Sequence, residues 1–319
     1  MRTKNAGLLL IALCVLPGRA AGQAIDAVGS RALGMGGAFV AVADDASGAH
    51  WNPAALAVGQ PAGALVEWNR FRSGDRDGGP AEGGWQRSSR FMSFGSWPIG
   101  VTYTRIDQAV TTDGNSATRL LTQAYGLSLL QSLSNSFIVG TTLRYIRGRA
   151  AHADVSAGTL GDALDDIAAN DGRASGAFDL DLSAIFNAGI FRLGGTIRHL
   201  RSPEFAAPDG TRLELERRSR VGLAVLPVDG LTLAMDIDLD TVAEPDGERR
   251  TGAVGVEHRL SPRVIVRAGA KRNFAGEHET AGTAGASFAL RPGTWLDGHV
   301  TFGGSAAERG MGLAFRAGW

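Results

Sequence analysis

The chain has 319 residues, with 32 lysines and arginines balanced by 32 aspartates and glutamates, and a single cysteine. Balanced charge and the lack of a basic stripe interleaved with aromatics argue against a nucleic-acid binder. Beyond the N-terminus no apolar run reaches the roughly 20 residues of a membrane-crossing helix, while 45 glycines and many short alternating segments point to an all-β chain.

Residues 1–22 read as a secretory signal. Arg2 and Lys4 give the positive start and Leu8 to Leu16 the apolar stretch. Pro17 and Gly18 break it, and Ala20-Ala21-Gly22 supply small residues for cleavage, placed after Gly22 in preference to Ala24. Cys14 lies inside that apolar stretch, so the exported chain carries no thiol for a disulfide, a thiolate metal site or a nucleophile. Leu13 stands where a lipoprotein motif needs a small residue.

Residues 23–61 form the next unit. Its heart, residues 29–56, reads GSRALGMGGAFVAVADDASGAHWNPAAL. Ala32, Gly34, Gly36, Gly37 and Ala38 have almost no side-chain bulk, so this backbone can lie close against a wall. Phe39, Val40, Val42 and Trp51 offer apolar contacts. Asp44, Asp45 and Ser47 are suited to capping a short helical turn, and Asn52-Pro53 to starting another. The acidic pair reads first as caps and partners of arginines, with a metal or catalytic role as the rival.

This segment resembles the N-terminal segment of PorV/PorQ and FadL-type bacterial outer-membrane barrels, more closely the former. The resemblance implies a hatch folded inside a barrel, with Gly34, Gly36, Gly37, Phe39, Asp44, Asp45, Trp51, Asn52 and Pro53 as hatch or gating residues.

Residues 62–319 carry fourteen strand candidates, near 62–69, 90–97, 99–107, 119–130, 135–147, 175–186, 190–200, 211–226, 231–240, 249–260, 263–272, 280–290, 295–303 and 309–319. Most approach the length at which a tilted strand crosses hydrocarbon. Their period is two: Leu231, Leu233, Met235, Ile237 and Leu239 alternate with Thr232, Ala234, Asp236, Asp238 and Asp240. Connections after even-numbered strands are tight and carry turn residues, as in Asn187-Ala188-Gly189 and Arg291-Pro292-Gly293. Those after odd-numbered strands are mostly longer, with Arg70–Ser89 and Gly148–Ala174 the extremes. An outer-membrane barrel sorts its loops this way, whereas a soluble sandwich has no reason to. Backbone groups in hydrocarbon must be paired, so the sheet must close. The expected fold is all-β, a 14-stranded antiparallel transmembrane β-barrel with an N-terminal hatch in its lumen.

The polar phase puts both signs of charge inside: Arg144, Asp179, Asp181, Arg192, Arg198, Glu214, Glu216, Arg218, Arg220, Asp236, Asp238, Glu257, Arg259, Arg267, Lys271, Asp297 and His299. Ion pairs between plug and wall are the first reading, a polar conduit the second. Phe315 and the terminal Trp319 share the lipid-facing phase and resemble the end signal read by the barrel-assembly machinery.

No dinucleotide loop, P-loop, His-Glu-x-x-His or Gly-x-Ser-x-Gly motif occurs, and the histidines are scattered singly. The sequence therefore implies no enzyme, no cofactor, no metal and no nucleic-acid partner. Two functions compete. Resemblance to FadL-type proteins implies passive passage of small hydrophobic molecules across the outer membrane. Resemblance to PorV/PorQ implies a barrel that binds exported protein cargo in a secretion system.

Overall fold

The two-residue alternation becomes wall strand over most of residues 62–319. The computed structural model describes residues 20–21 and 27–319, apart from 76, 79–82, 113–115, 156–157, 171, 245–246, 277 and 305–307. The expected export signal and Cys14 lie outside the described residues, except for Ala20–Ala21, which pair in parallel with Leu213 and Glu214.

The wall is built of β1 (Ala62–Arg72), β2 (Gly84–Ser96), β3 (Ile99–Thr112), β4 (Ser116–Ser132), β5 (Phe137–Asp154), β6 (Ala174–Ala188), β7 (Phe191–Arg198), β8 (Arg218–Val228), β9 (Leu231–Asp238), β10 (Thr251–Ser261), β11 (Val264–Asn273), β12 (Thr280–Arg291), β13 (Thr294–Gly303) and β14 (Arg309–Gly318). Each pairs antiparallel with its sequence neighbours. Pairing of β14 with β1, from Arg309 opposite Arg72 to Gly318 opposite Gly63, closes the barrel. Thirteen of the fourteen expected segments fall on wall strands, and the eighth, 211–226, does so only from Arg218. Closure removes the sheet edges that hydrocarbon would otherwise leave unpaired.

Alternation sets the two faces. Leu233, Met235 and Ile237 are exposed while Ala234, Asp236 and Asp238 are buried. Leu313, Phe315 and Trp319 stand on the same outward register. An outward face that is apolar around the wall, over a polar interior, is the pattern of a barrel whose solvent is lipid.

Tight connections lie at one end, between β2 and β3, β4 and β5, β6 and β7, β8 and β9, β10 and β11, and β12 and β13. Longer excursions lie at the other, although β3 and β4 are joined there by residues 113–115 alone. The expected long loops are partly wall: β1 runs to Arg72 and β2 starts at Gly84, while β5 runs to Asp154. The remainder of the second loop contains α1 (Leu160–Ala169), whose Thr159 and Asp162 form a reciprocal capping box. Leu160, Leu164 and Ile167 of this helix pack on Ala109, Ala117 and Ala151, outward-register residues at the tall ends of β3, β4 and β5.

One expected strand is divided. Residues 211–217 alternate like wall but turn away from it. Arg212–Glu214 pairs with Glu204–Ala206 in a small sheet. That sheet seats Phe205, Leu213 and Leu215 on the inward face of β4 and β5, against Leu120, Ala124, Ile146 and Ala150. The barrel strand resumes at Arg218.

Candidate functional site

Residues 27–58 occupy the interior from mid-wall toward the tight-turn end. The segment is a one-turn helix (Ser30–Gly34), a second turn (Gly48–Trp51) and a 3-10 helix (Pro53–Val58) linked by coil. It is buried almost throughout. Its lack of bulk has the expected use. A Cβ on Gly34 would stand 3.1 Å from the Cα of Gly285 on β12. Gly36 has a φ of 71°, and a Cβ there would meet the Ala270 carbonyl oxygen of β11 at 2.8 Å. Backbone therefore touches backbone, and Thr283 Oγ1 donates to the Gly34 carbonyl oxygen at 3.0 Å. Gly37 also takes a positive φ, 87°.

Orphan backbone donors of the coil are met by acids on the wall. The Asp236 carboxylate accepts from the Phe39 and Val40 amides at 2.9 and 2.8 Å. Glu67 accepts from the Gly29 amide at 2.6 Å and from the Ser30 amide. Asn52 donates to the carbonyl oxygens of Val40 at 2.7 Å and Ala184 at 3.0 Å, tying the segment to itself and to β6. Pro53 opens the 3-10 helix, and the Ala54 amide is held by Ser183 Oγ at 3.1 Å. Phe39 and Trp51 meet edge-on with centroids 6.1 Å apart, inside a cluster with Met35, Val40, Val42, Ile138 and Ile185. Trp51 Nε1 donates to the Val28 carbonyl oxygen at 3.0 Å.

Asp44 and Asp45 join a network of alternating charge. Arg31 makes a bidentate pair with Glu257 of β10, both contacts 2.7 Å, and reaches Asp44 at 2.6 Å and Asp45 at 3.1 Å. Glu257 also pairs with Arg267 at 2.5 Å, Arg267 lies 4.0 Å from Asp297, Asp297 pairs with Arg316 at 2.9 Å, and Arg316 returns to Asp45 at 3.8 Å. These contacts close a ring of three arginines and three acids, with two of its members on the internal segment. Asp44 extends it to Arg192 of β7 at 3.3 Å. Burial would raise the Asp45 carboxyl, but Arg31 and Arg316, with hydrogen bonds from Ser47, hold it below its ordinary value. Burial would likewise lower Arg31, and Glu257, Asp44 and Asp45 outweigh it.

The capping expectation is met in part. Asp45 Oδ1 accepts from the Ser47 amide at 2.9 Å, an Asx turn, whereas Ser47 makes no side-chain cap to the turn that follows. Arg31 and Glu67 hold the segment as firmly as the acids do, and sequence reasoning passed over both. The available signal was a lone charge in a small-residue run and a lone acid in an apolar strand.

Of the residues assigned to the lumen, Arg144, Asp179, Asp181, Arg198, Arg218, Arg220, Asp236, Asp238, Glu257, Arg267, Asp297 and His299 are buried on the inward register. Glu214 and Glu216 are a correction: Glu214 belongs to the small sheet, and Glu216 leaves the wall and accepts from the Ala243 amide at 3.1 Å. Arg259 stands exposed at the tight-turn end. Asp179, Asp181 and His199 approach one another closely enough to suit a metal ion. However, Arg144 pairs with Asp181 and Arg198 lies 3.9 Å from it, so guanidiniums already crowd that carboxylate, and the His199 ring lies 2.5 Å from Asp179. Phe315 and Trp319 face outward, Trp319 6.3 Å from the Phe94 ring. The Trp319 backbone completes the seam through reciprocal bonds with Ala62 at 3.0 and 3.1 Å.

Comparison with known proteins bears on the fold. A family model described as "F plasmid transfer operon, TraF, protein" matches residues 101–238, a part of the wall from β3 to β9. No curated protein matches the chain. Among solved structures, the CymD monoaromatic hydrocarbon channel superposes with a TM-score of 0.69 at 12% identity, over 92% of this chain and 98% of that one. The Ralstonia pickettii toluene transporter TbuX gives 0.63 at 13%, over 92% and 99%. A Pseudomonas aeruginosa FadL homologue gives 0.63 at 12%, over 93% and 98%. The closed 14-stranded wall thus shares its fold with these solved barrels, and with its apolar outer face the protein is a barrel of the bacterial outer membrane.

Proposed function

We propose that the protein lets small hydrophobic molecules cross the outer membrane without catalysing a reaction, and that residues 23–61 are its hatch. The observation that carries this reading is the apolar cluster in the outer mouth. Phe205, Leu213 and Leu215 pack against Leu120, Ala124 and Ile146 on the inward face of the wall, and Phe71, Trp85 and Val110 form a second apolar patch on that face. These side chains are packed closed, so the cluster receives a molecule arriving from outside only as the small sheet parts from the wall and uncovers its apolar surface. Below lies the hatch, with Phe39 and Trp51 as its apolar contacts and Gly34, Gly36 and Gly37 as the places where its backbone meets the wall. Passage requires the contacts of Asp44, Asp45, Asn52 and Pro53 to yield. Two solved barrels of the same architecture, a monoaromatic hydrocarbon channel and a toluene transporter, support the reading. A cargo-binding role in protein secretion draws on no feature beyond the barrel itself and stands second.

The test is uptake of a radiolabelled monoaromatic hydrocarbon by cells lacking their own channels. Cells producing the protein should exceed vector controls, and Leu213→Glu should return the initial rate toward that of the controls. Uptake equal to the vector, together with a secreted protein co-purifying from detergent extracts, would favour the secretion reading.

A further inference from the structure

The lipid-facing register of β1 to β6 is layered. Met92, Tyr103, Tyr125, Tyr145 and Phe178 are successive cross-strand neighbours, forming an aromatic row of the kind found where hydrocarbon gives way to headgroups. The next outward row toward the long-loop end reads Trp68, Arg90, Arg105, Gln123, Arg147. Arg90 and Arg105 are direct cross-strand partners, an arrangement of like charges that is unfavourable unless an anion lies between them. Arg105 leans toward Asp107 at 3.8 Å, and Asp107 is itself held by Arg119 at 2.8 Å. Among the described residues the side chains of Arg70 and Arg90 have no ion-pair or hydrogen-bond partner.

Beside these two arginines the outer face is hollow. A groove of about 870 Å³ crosses β12, β13, β14 and β1, floored by Ala284, Ala286 and Gly298 and walled by Trp68, Val300 and Met311. Arg70 and Arg90 stand at its edge. No residue of the internal segment lines it, and the strands beneath are paired without interruption, so it lies on the membrane side of the wall. Toward the hydrocarbon it continues over the outward row Phe288, Leu296, Phe315. Toward the surface it adjoins a polar recess of about 420 Å³ that shares Arg70 and Ser88 and also includes Arg72, Asp107 and Asp165.

We propose that this face binds a phosphorylated lipid of the outer leaflet. Its phosphate sits between Arg70 and Arg90, and the upper part of one acyl chain lies in the Ala284–Ala286–Gly298 groove. Such a lipid is the partner that satisfies both halves, because two guanidiniums with no ion-pair partner among the described residues adjoin a lipid-facing apolar hollow at the aromatic row.

The experiment is native mass spectrometry of the full chain released from nanodiscs that contain a diphosphorylated lipid A or the same lipid enzymatically dephosphorylated. The expected result is bound diphosphorylated lipid at occupancy at least tenfold above the dephosphorylated form. Arg70→Gln/Arg90→Gln should abolish that preference, and Ala286→Phe should lower binding of the diphosphorylated lipid. Arg263→Gln, at the opposite end of the barrel, should leave both unchanged. Equal occupancy of the two lipids by the unaltered protein, a result that depends on no variant, would overturn the proposal. So would inorganic phosphate displacing the lipid at equal concentration, which would mark a simple anion site to which the groove adds nothing.

Discussion

Replacing Arg31 with methionine tests whether the charged ring holds the hatch. The substitution keeps the length of the side chain and removes four contacts, two to Glu257 at 2.7 Å, one to Asp44 at 2.6 Å and one to Asp45 at 3.1 Å. Arg31, Asp45 and Glu257 are each nearly buried, their side chains 9%, 7% and 10% exposed, so water offers little compensation. Removing one partner from a buried ion pair costs about 3–5 kcal/mol. Arg267 remains on Glu257, Arg192 on Asp44 and Arg316 on Asp45, which places the expected cost at the lower end, about 3 kcal/mol. At about 1.4 kcal/mol per factor of ten, the unseated state should become roughly a hundredfold more populated. The wall itself should keep its heat-resistant migration on gels, since β10 retains every backbone partner. Single-channel recording in planar bilayers should show openings at correspondingly greater frequency. Recordings of Arg31→Met that match the unaltered protein, from a folded barrel, would refute the view that this ring seats the hatch.

Three further outcomes follow from the same geometry. Asp236→Ala leaves the Phe39 and Val40 amides without an acceptor, at a cost of about 1–3 kcal/mol. Hydrogen exchange at those two amides should quicken while exchange along β9 stays slow. Asp45 titrates below its ordinary value when seated, so its contribution is complete above the unseated pKa and is lost as pH falls through the lower, seated one. Channel openings should accordingly rise in strongly acidic buffer, and Asp45→Asn should flatten that part of the response. Deleting Trp319 removes both backbone bonds to Ala62 and the ring beside Phe94. The yield of heat-resistant barrel in membranes should drop severalfold, while refolding in detergent should suffer less if the residue serves chiefly as an assembly signal.

Much of the wall was legible because lipid on one side and polar contacts on the other impose a strict period of two, as Leu231 to Asp240 display. The places where that logic misled are the places where a strand has some other neighbour. Residues 211–217 carry the same alternation, yet Leu213 and Leu215 bury themselves on the inner face of β4 and β5 instead of meeting lipid. The outer faces of Ala109, Ala117 and Ala151 are covered by α1, so wall extends to Asp154 beyond what a bilayer requires. Within the hatch, the lack of bulk at Gly34 and Gly36 foretold close approach, but the partners of Asp44 and Asp45 were beyond reach. Arg192 and Arg316 are remote in sequence, and only the closing of the barrel brings them near.

That remoteness constrains the order of events during biogenesis. The internal segment is covalently joined to β1, the first strand of the wall, but most of its anchors belong to strands translated later: Asp236 on β9, Glu257 on β10, Thr283 on β12 and Arg316 on β14. It cannot settle before the C-terminal half has emerged, and once the β14–β1 seam is made its route inward narrows to an open end. Until then Phe39, Val40 and Trp51 lack the apolar cover that the finished barrel gives them.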